Sequence, residues 1–254
     1  MRIFALSDVH VDYDANAKWV ASLSNDDYRD DVLILAGDVT DTRRLLEWCL
    51  GAFVRRFKRV LFVPGNHELW VLREVRGKDS LQKAAEVRLA VESSGASMEV
   101  FRAPGLAIVP LLSWYDYSFG DASDELRAMW MDYRACRWPR GYTDREVAAH
   151  FDALNDEHVA PHAEDKVITY SHFLPRIDLM PGAVPRAGRV LYPILGSTRI
   201  ETRLRRLGAS LHVYGHSHVN RRVTIDGVTY INNAFGYPSE SWITSKHLMC
   251  IQEC

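Results

Sequence analysis

The chain has 254 residues, of which 47% are hydrophobic and 25% charged, with a formal net charge of −2. Such a balance supports a sizeable buried core and excludes wholesale disorder. It also argues against a general electrostatic grip on nucleic acid. The four cysteines, Cys49, Cys136, Cys250 and Cys254, are scattered and form no C-x-x-C pair. They read as reduced thiols rather than a disulfide framework. The apolar start, Met1 to Leu6, is too short for a signal peptide, and no run approaches a membrane span. The expected location is the cytoplasm.

Arg2 to Ser7 reads as a strand ending in Asp8-Val9-His10. Residues two apart in an extended segment point the same way, so Asp8 and His10 can face one point. Asp14 is a candidate N-cap for a helix through Leu23. Val32 to Ala36 is apolar without alternation, as expected of a strand buried on both faces. It ends in Gly37-Asp38-Val39-Thr40-Asp41, where Asp41 can cap a helix from Arg43 to Phe57. That helix is expected to bury Leu45, Leu46, Cys49, Phe53 and Phe57 and to expose Arg43, Arg44, Arg55 and Arg56. Val60 to Val63 is the next strand, and Pro64-Gly65 turns the chain into Asn66-His67-Glu68. The first 68 residues thus alternate strand and helix, with a polar turn after each strand, the pattern of a parallel α/β sheet.

Asp79 to Ser94 reads as an amphipathic helix, and Met98 to Phe101 and Ala107 to Leu112 as strands. The segment from 113 to about 162 is an aromatic-rich helical insert, holding Trp114, Tyr115, Tyr117, Phe119, Trp130, Tyr133, Trp138 and Tyr142. It reads as a packed cover over the core, with a substrate wall as the alternative. Helices are expected over 124–134 and 143–159, and His150, His158 and His162 read as surface histidines. Lys166 to Ser171 is a buried-type strand followed by His172. A Pro- and Gly-rich loop over 175–196 follows, of a length that is usually functional. Ser197 caps a helix through Leu207, and Leu211 to Tyr214 is a strand ending in Gly215-His216-Ser217-His218. Val219 to Thr224 and Val228 to Ile231 form a hairpin over Asp226-Gly227, and His247 to Gln252 is the last strand. Without a repeat or low-complexity linker, residues 1–254 are expected to form a single domain.

The strand ends therefore offer Asp8, His10, Asp38, Asn66, His67, His172, His216 and His218. Carboxylate oxygen with imidazole nitrogen suits first-row metals such as Mn, Fe, Co, Ni and Zn. No thiolate is among them, which excludes a cysteine-type structural zinc site. The set is too large for one ion and suits two if a carboxylate bridges, an arrangement that clamps phosphorus for in-line displacement.

Five segments, Asp-x-His at 8–10, Gly-Asp-x-x-Asp at 37–41, Gly-Asn-His-Glu at 65–68, a lone His at 172 and Gly-His-x-His at 215–218, resemble in order and spacing the calcineurin-like metallophosphoesterase family. The resemblance spans residues 3 to about 233. It implies a four-layer α/β/β/α sandwich of two mixed sheets flanked by helices. It implies two metal ions, divalent or trivalent (Mn, Fe or Zn), with Asp8, His10 and His218 holding the first, Asn66, His172 and His216 the second, and Asp38 bridging. It further implies His67 as general acid, oriented by Asp41, and a bridging hydroxide that attacks a small phosphomonoester or phosphodiester.

The protein Ser/Thr phosphatases of the family carry Asp-Arg-Gly where this chain has Asp41-Thr42-Arg43, so that branch is not indicated. Arg43 and Arg44 read as a solvated face, Arg221 and Arg222 as candidates for anion contact, and Asn232 and Asn233 as either site or turn residues. A catalytically silent metal-binding scaffold and a nuclease stay open as alternatives. The oligomeric state is not legible.

Overall fold

In the computed structural model, which describes residues 1–74, 76–157 and 165–254, ten strands form two sheets. The first has the order β10-β1-β2-β3, from Met249–Glu253, Arg2–Leu6, Val32–Ala36 and Arg59–Val63. The second has the order β4-β5-β6-β7-β9-β8, from Phe101–Ala103, Leu106–Pro110, Lys166–Tyr170, Leu211–Tyr214, Val228–Asn232 and Arg221–Ile225. Neighbours run parallel within β1-β2-β3 and within β5-β6-β7-β9, while β10, β4 and β8 are antiparallel edges.

The two-residue side-chain period of a strand dictates the layering. Ile3 and Ala5 of β1, Val32, Ile34 and Ala36 of β2, and Leu61 and Val63 of β3 share one core with Leu106, Ile108, Ile168, Tyr170, Val213 and Ile231 of the second sheet. The intervening residues face outward. Phe4, Leu6, Leu33, Leu35 and Phe62 pack with Leu46, Cys49, Leu50 and Phe53 of helix α2 (Arg43–Val54) and with Val20 and Val87 of helices α1 (Asp14–Ser22) and α3 (Ser80–Ser93). On the far side, Ala107, Val109 and Val167 pack with side chains of three further helices. These are Leu126 of α4 (Asp124–Met129), Val147 and Phe151 of α6 (Asp144–Leu154), and Ile200 and Leu204 of α7 (Thr198–Arg206), with α5 (Asp132–Ala135) lying between α4 and α6 in the chain. The result is the four-layer α/β/β/α sandwich that the resemblance implies.

Several local expectations shift. The run at 98–101 does not begin a strand: Ser97 makes one bridge to Leu61 and Met98 turns into the helix-side core, so pairing with β5 starts only at Phe101. The helix expected over 124–134 breaks in two at Trp130, whose extended backbone redirects the chain. Asp14 lies inside the first turn of α1 and Tyr13 takes the cap position without a side-chain bond. Asp41 likewise does not cap α2, whose cap residue is Thr42. Arg56 is buried rather than solvated, because its guanidinium donates to the carbonyls of Ala21, Leu23 and Ala52 and ties α2 to the end of α1. The loop at 175–196 contains helical turns at Ile177–Leu179 and Arg186–Ile194. His150 sits against Tyr142 and Phe151 and belongs to none of the candidate metal groups among the described residues, while His158 and His162 lie outside those residues. All four cysteines are free, with Cys49 buried and Cys250 and Cys254 exposed. Among the described residues no helix is long and apolar enough to cross a membrane.

Candidate metal centre

Parallel strands present their carboxyl ends on one side, and the turns that follow β1, β2, β3, β6 and β7 meet there. Five of the turn residues, Asp8, His10, Asp38, His216 and His218, adopt left-handed backbone conformations with φ between 45° and 66°. Non-glycine residues reach that region only at a steric cost, and they cluster at functional sites. Close approach of the turns also dictates glycines. A Cβ on Gly37 would stand 2.6 Å from His172 Nδ1, and one on Gly65 would overlap Asp38 Oδ1 and lie 2.7 Å from His172 Cε1.

The side chains converge in overlapping groups. Ligand-capable atoms of Asp8, His10 and His218 lie within 4.8 Å of one another, as do those of Asp38, His172 and His216. A third group, His10, Asp38 and His67, joins the two, so Asp38 stands between them. Asn66 enters the second group through Oδ1, 3.1 Å from His172 Nε2.

Hydrogen bonds at the outer ring nitrogens decide what this cluster can hold. His172 Nδ1 donates to Ala36 O (2.9 Å), His216 Nε2 to Ile194 O (3.1 Å) and His218 Nδ1 to Glu240 Oε2 (2.6 Å). With those protons outside, the inner nitrogens are lone-pair donors. His172 Nε2 then faces His216 Nδ1 and Asn66 Oδ1 at 3.1 Å and Asp38 Oδ2 at 3.4 Å. His218 Nε2 faces His10 Nε2 at 3.1 Å and Asp8 Oδ1 at 3.3 Å. Lone pairs packed this closely in a buried site repel unless a cation lies among them. The donor set therefore fits metal ions at both groups.

Without metal, protons do part of that work. Burial lowers the imidazoles of His172 and His218, but Asp38 overrides it and raises His172 to about 9, and Asp8 with Glu240 raises His218 to about 10. Burial dominates at His10 and His216 and lowers both to about 3. Asp38 lies well below the usual carboxylate range, since His172 and His67 outweigh its burial. Linkage gives the sign. The raised pair contributes stability below the unfolded histidine value, near 6.5, that is lost as pH climbs toward 9–10. The lowered pair contributes stability above that value that is lost as pH falls toward 3. These four histidines therefore contribute most to the stability of the metal-free protein near pH 6.5, the value from which both pairs depart. Saturating Mn²⁺ should raise the midpoint there by about 5–10 °C and flatten the alkaline limb, as read by thermal denaturation.

His67 is held beside the cluster. Its backbone N–H donates to Asp38 Oδ1 (3.0 Å) and its ring stacks on Trp70 at 3.8 Å. Among the described residues, no hydrogen bond joins it to Asp41. The Asp41 carboxylate instead takes Thr42 Oγ1 (3.0 Å) and pairs with Arg73 (3.3 Å). The contacts that hold His67 come from Asp38 at the backbone and from Trp70 at the ring. Arg221 donates to the carbonyls of Asp178 and Leu179 and braces the 177–179 turn, so it is not a free anion contact. Asn232 binds Gly215 O and Ser217 Oγ, and Asn233 binds Ala5 O and His247 O, which makes both of them braces for the loops.

Three functional features escape the sequence reading. Glu240, 22 residues after His218, supplies its outer acceptor. Tyr237 packs on His10 (4.5 Å) and His218 (4.9 Å). Glu68, visible only as the last letter of a motif, accepts four backbone N–H groups, from Asp38, Val39, Thr40 and Gly65.

Fold and site together define a metal-dependent phosphoesterase of the α/β/β/α type. The profile of the calcineurin-like phosphoesterases matches residues 1–220, and the chain belongs to that family. It is 27% identical over 260 residues to the acyl-carrier-protein phosphodiesterase PptH of Mycobacterium tuberculosis, covering 94% of this chain and 78% of the relative. The crystal structure of that phosphopantetheinyl hydrolase superposes with a TM-score of 0.75 at 25% identity, covering 95% of this chain and 93% of the other. TT1561 of Thermus thermophilus, at 14% identity and a TM-score of 0.50 over 92% of this chain and 89% of the other, shares the fold.

Proposed function

We propose that this enzyme hydrolyses a phosphodiester at two metal ions, with Asp8, His10 and His218 holding one, Asn66, His172 and His216 the other, and Asp38 shared. The observation that carries the reading is the set of inner lone pairs whose outer ring nitrogens are already committed to Ala36, Ile194 and Glu240. Mn, Fe or Zn suits such nitrogen and oxygen donors. When bound, the ions supply positive charge against the phosphoryl oxygens and lower the pKa of a water.

The chain's own residues do the rest. His67 protonates the departing oxygen, and its ring is kept in place by Trp70 and by the backbone bond to Asp38. Asp38 and Asp8 are anionic at neutral pH, which keeps both carboxylates available to cations. Glu240 fixes the His218 ring with Nε2 inward.

The similarity to PptH over most of both chains supports a diester that joins phosphopantetheine to a carrier protein, rather than a small free ester. The test compares a nitrophenyl monoester, a bis-nitrophenyl diester, a single-stranded oligonucleotide and a holo carrier protein, each with Mn²⁺-reloaded enzyme. Release of phosphopantetheine, read by intact mass, should exceed turnover of every other substrate and should be lost in His67→Ala. Turnover confined to the oligonucleotide would replace this reading with a nuclease, and metal uptake without any turnover would replace it with a scaffold.

A further inference from the structure

One carboxylate at the centre belongs to none of the ligand groups. Asp132 opens α5 in the aromatic insert, is 2% exposed, and pairs with no Lys or Arg among the described residues. Its partners are three N–H groups. Oδ1 accepts from Asn66 Nδ2 (2.9 Å) and Trp70 Nε1 (2.7 Å), and Oδ2 accepts from Trp130 Nε1 (2.7 Å).

Each bond constrains a working part of the site. The two ends of a side-chain amide have nearly the same shape, so packing alone does not choose between them. An ionised carboxylate only accepts, so it selects the amide nitrogen and turns the Asn66 oxygen toward His172 Nε2, 3.1 Å away. The bond to Trp70 pins the indole on which His67 stacks. The bond to Trp130 pins a ring whose edge meets His216 at 5.8 Å and 82°.

We propose that Asp132 is a positioning residue for the reaction. It presents the Asn66 oxygen to the second ion and fixes the platform under His67, so the insert is part of the active-site support rather than a cover alone. The inference rests on the ligand set proposed above.

Mn²⁺ titration of metal-free wild type and Asp132→Asn, read by calorimetry, tests it. An asparagine here sets an N–H₂ against donors and frees the Asn66 amide to turn over. One of the two sites should weaken by about 10- to 100-fold while the other is unchanged. Trp70→Phe keeps a ring and removes one donor. It should leave both Mn²⁺ affinities and KM intact and lower kcat by about tenfold, which keeps the proposal testable if the Asp132 variant does not fold. Equal affinities in wild type and Asp132→Asn, or an unchanged kcat in Trp70→Phe, would overturn it. A wild type that takes up no Mn²⁺ would overturn the ligand set and this inference with it.

Discussion

Asp38→Ala is expected to lower diester turnover by at least about 10³-fold and to reduce bound Mn²⁺ to at most one ion per chain. The first figure follows from the several kcal/mol of charge stabilisation that metals supply, at about 1.4 kcal/mol per tenfold in rate. The second follows from position. Asp38 is the carboxylate that shares a group with His172 and His216 and another with His10 and His67. No neighbouring oxygen replaces it, because Asp8 is committed to the group with His10 and His218 and Glu68 is spent on four backbone donors. Asp38→Asn separates charge from shape. It keeps an acceptor for the His67 N–H but not the second anionic oxygen that faces His172 at 3.4 Å. It should therefore retain the fold, as judged by circular dichroism, and still lose turnover. Elemental analysis with steady-state kinetics on both variants checks this. Two tightly held ions in Asp38→Ala would show that the carboxylate does not lie between two sites.

The layered core was legible because β1, β2, β5 and β6 are apolar on both faces, and a two-residue period sends alternate side chains to alternate layers. The residues that meet at the centre were legible for a related reason. Each follows directly on a strand, and parallel strands end together. What the sequence does not display is support from elsewhere. Glu240 lies in an irregular loop, and Asp132 lies in an insert whose aromatic density announces packing but not direction. The family pattern assigned orientation of His67 to Asp41 by spacing. In this structure Asp38 holds the His67 backbone and Trp70 stacks on its ring, while the Asp41 carboxylate faces Thr42 and Arg73. Backbone conformation and ring stacking have no short sequence signature.

Glu68→Ala is the second large effect expected, and it acts on the fold before the chemistry. Both oxygens of Glu68 are saturated: Oε1 accepts from Val39 N (2.7 Å) and Thr40 N (3.1 Å), and Oε2 from Asp38 N (3.0 Å) and Gly65 N (2.7 Å). Burial and the nearby Asp38 push the carboxyl up to about 7. Four donated hydrogen bonds leave no acceptor position for a proton, however, and favour the carboxylate once cations occupy the centre. Truncation orphans four buried N–H groups at once. Each costs about 1–3 kcal/mol if left unpaired, and water entering the gap can satisfy some of them, so a net loss of about 3–5 kcal/mol is expected. That loss is a large share of the roughly 5–15 kcal/mol typical of a folded protein. Glu68→Gln keeps one acceptor oxygen but sets an N–H₂ against two backbone donors, so it should fall between wild type and Glu68→Ala. Because the four donors span the turns after β2 and β3, the damage should be local as well as global. The turns that carry Asp38, Asn66 and His67 should lose amide-exchange protection ahead of the β2 strand itself. Urea unfolding of the three proteins, with hydrogen exchange on the Gln variant, tests both points. A Glu68→Ala protein as stable as wild type, or one whose protection falls uniformly, would mean that the turns are held by strand packing and not by this carboxylate.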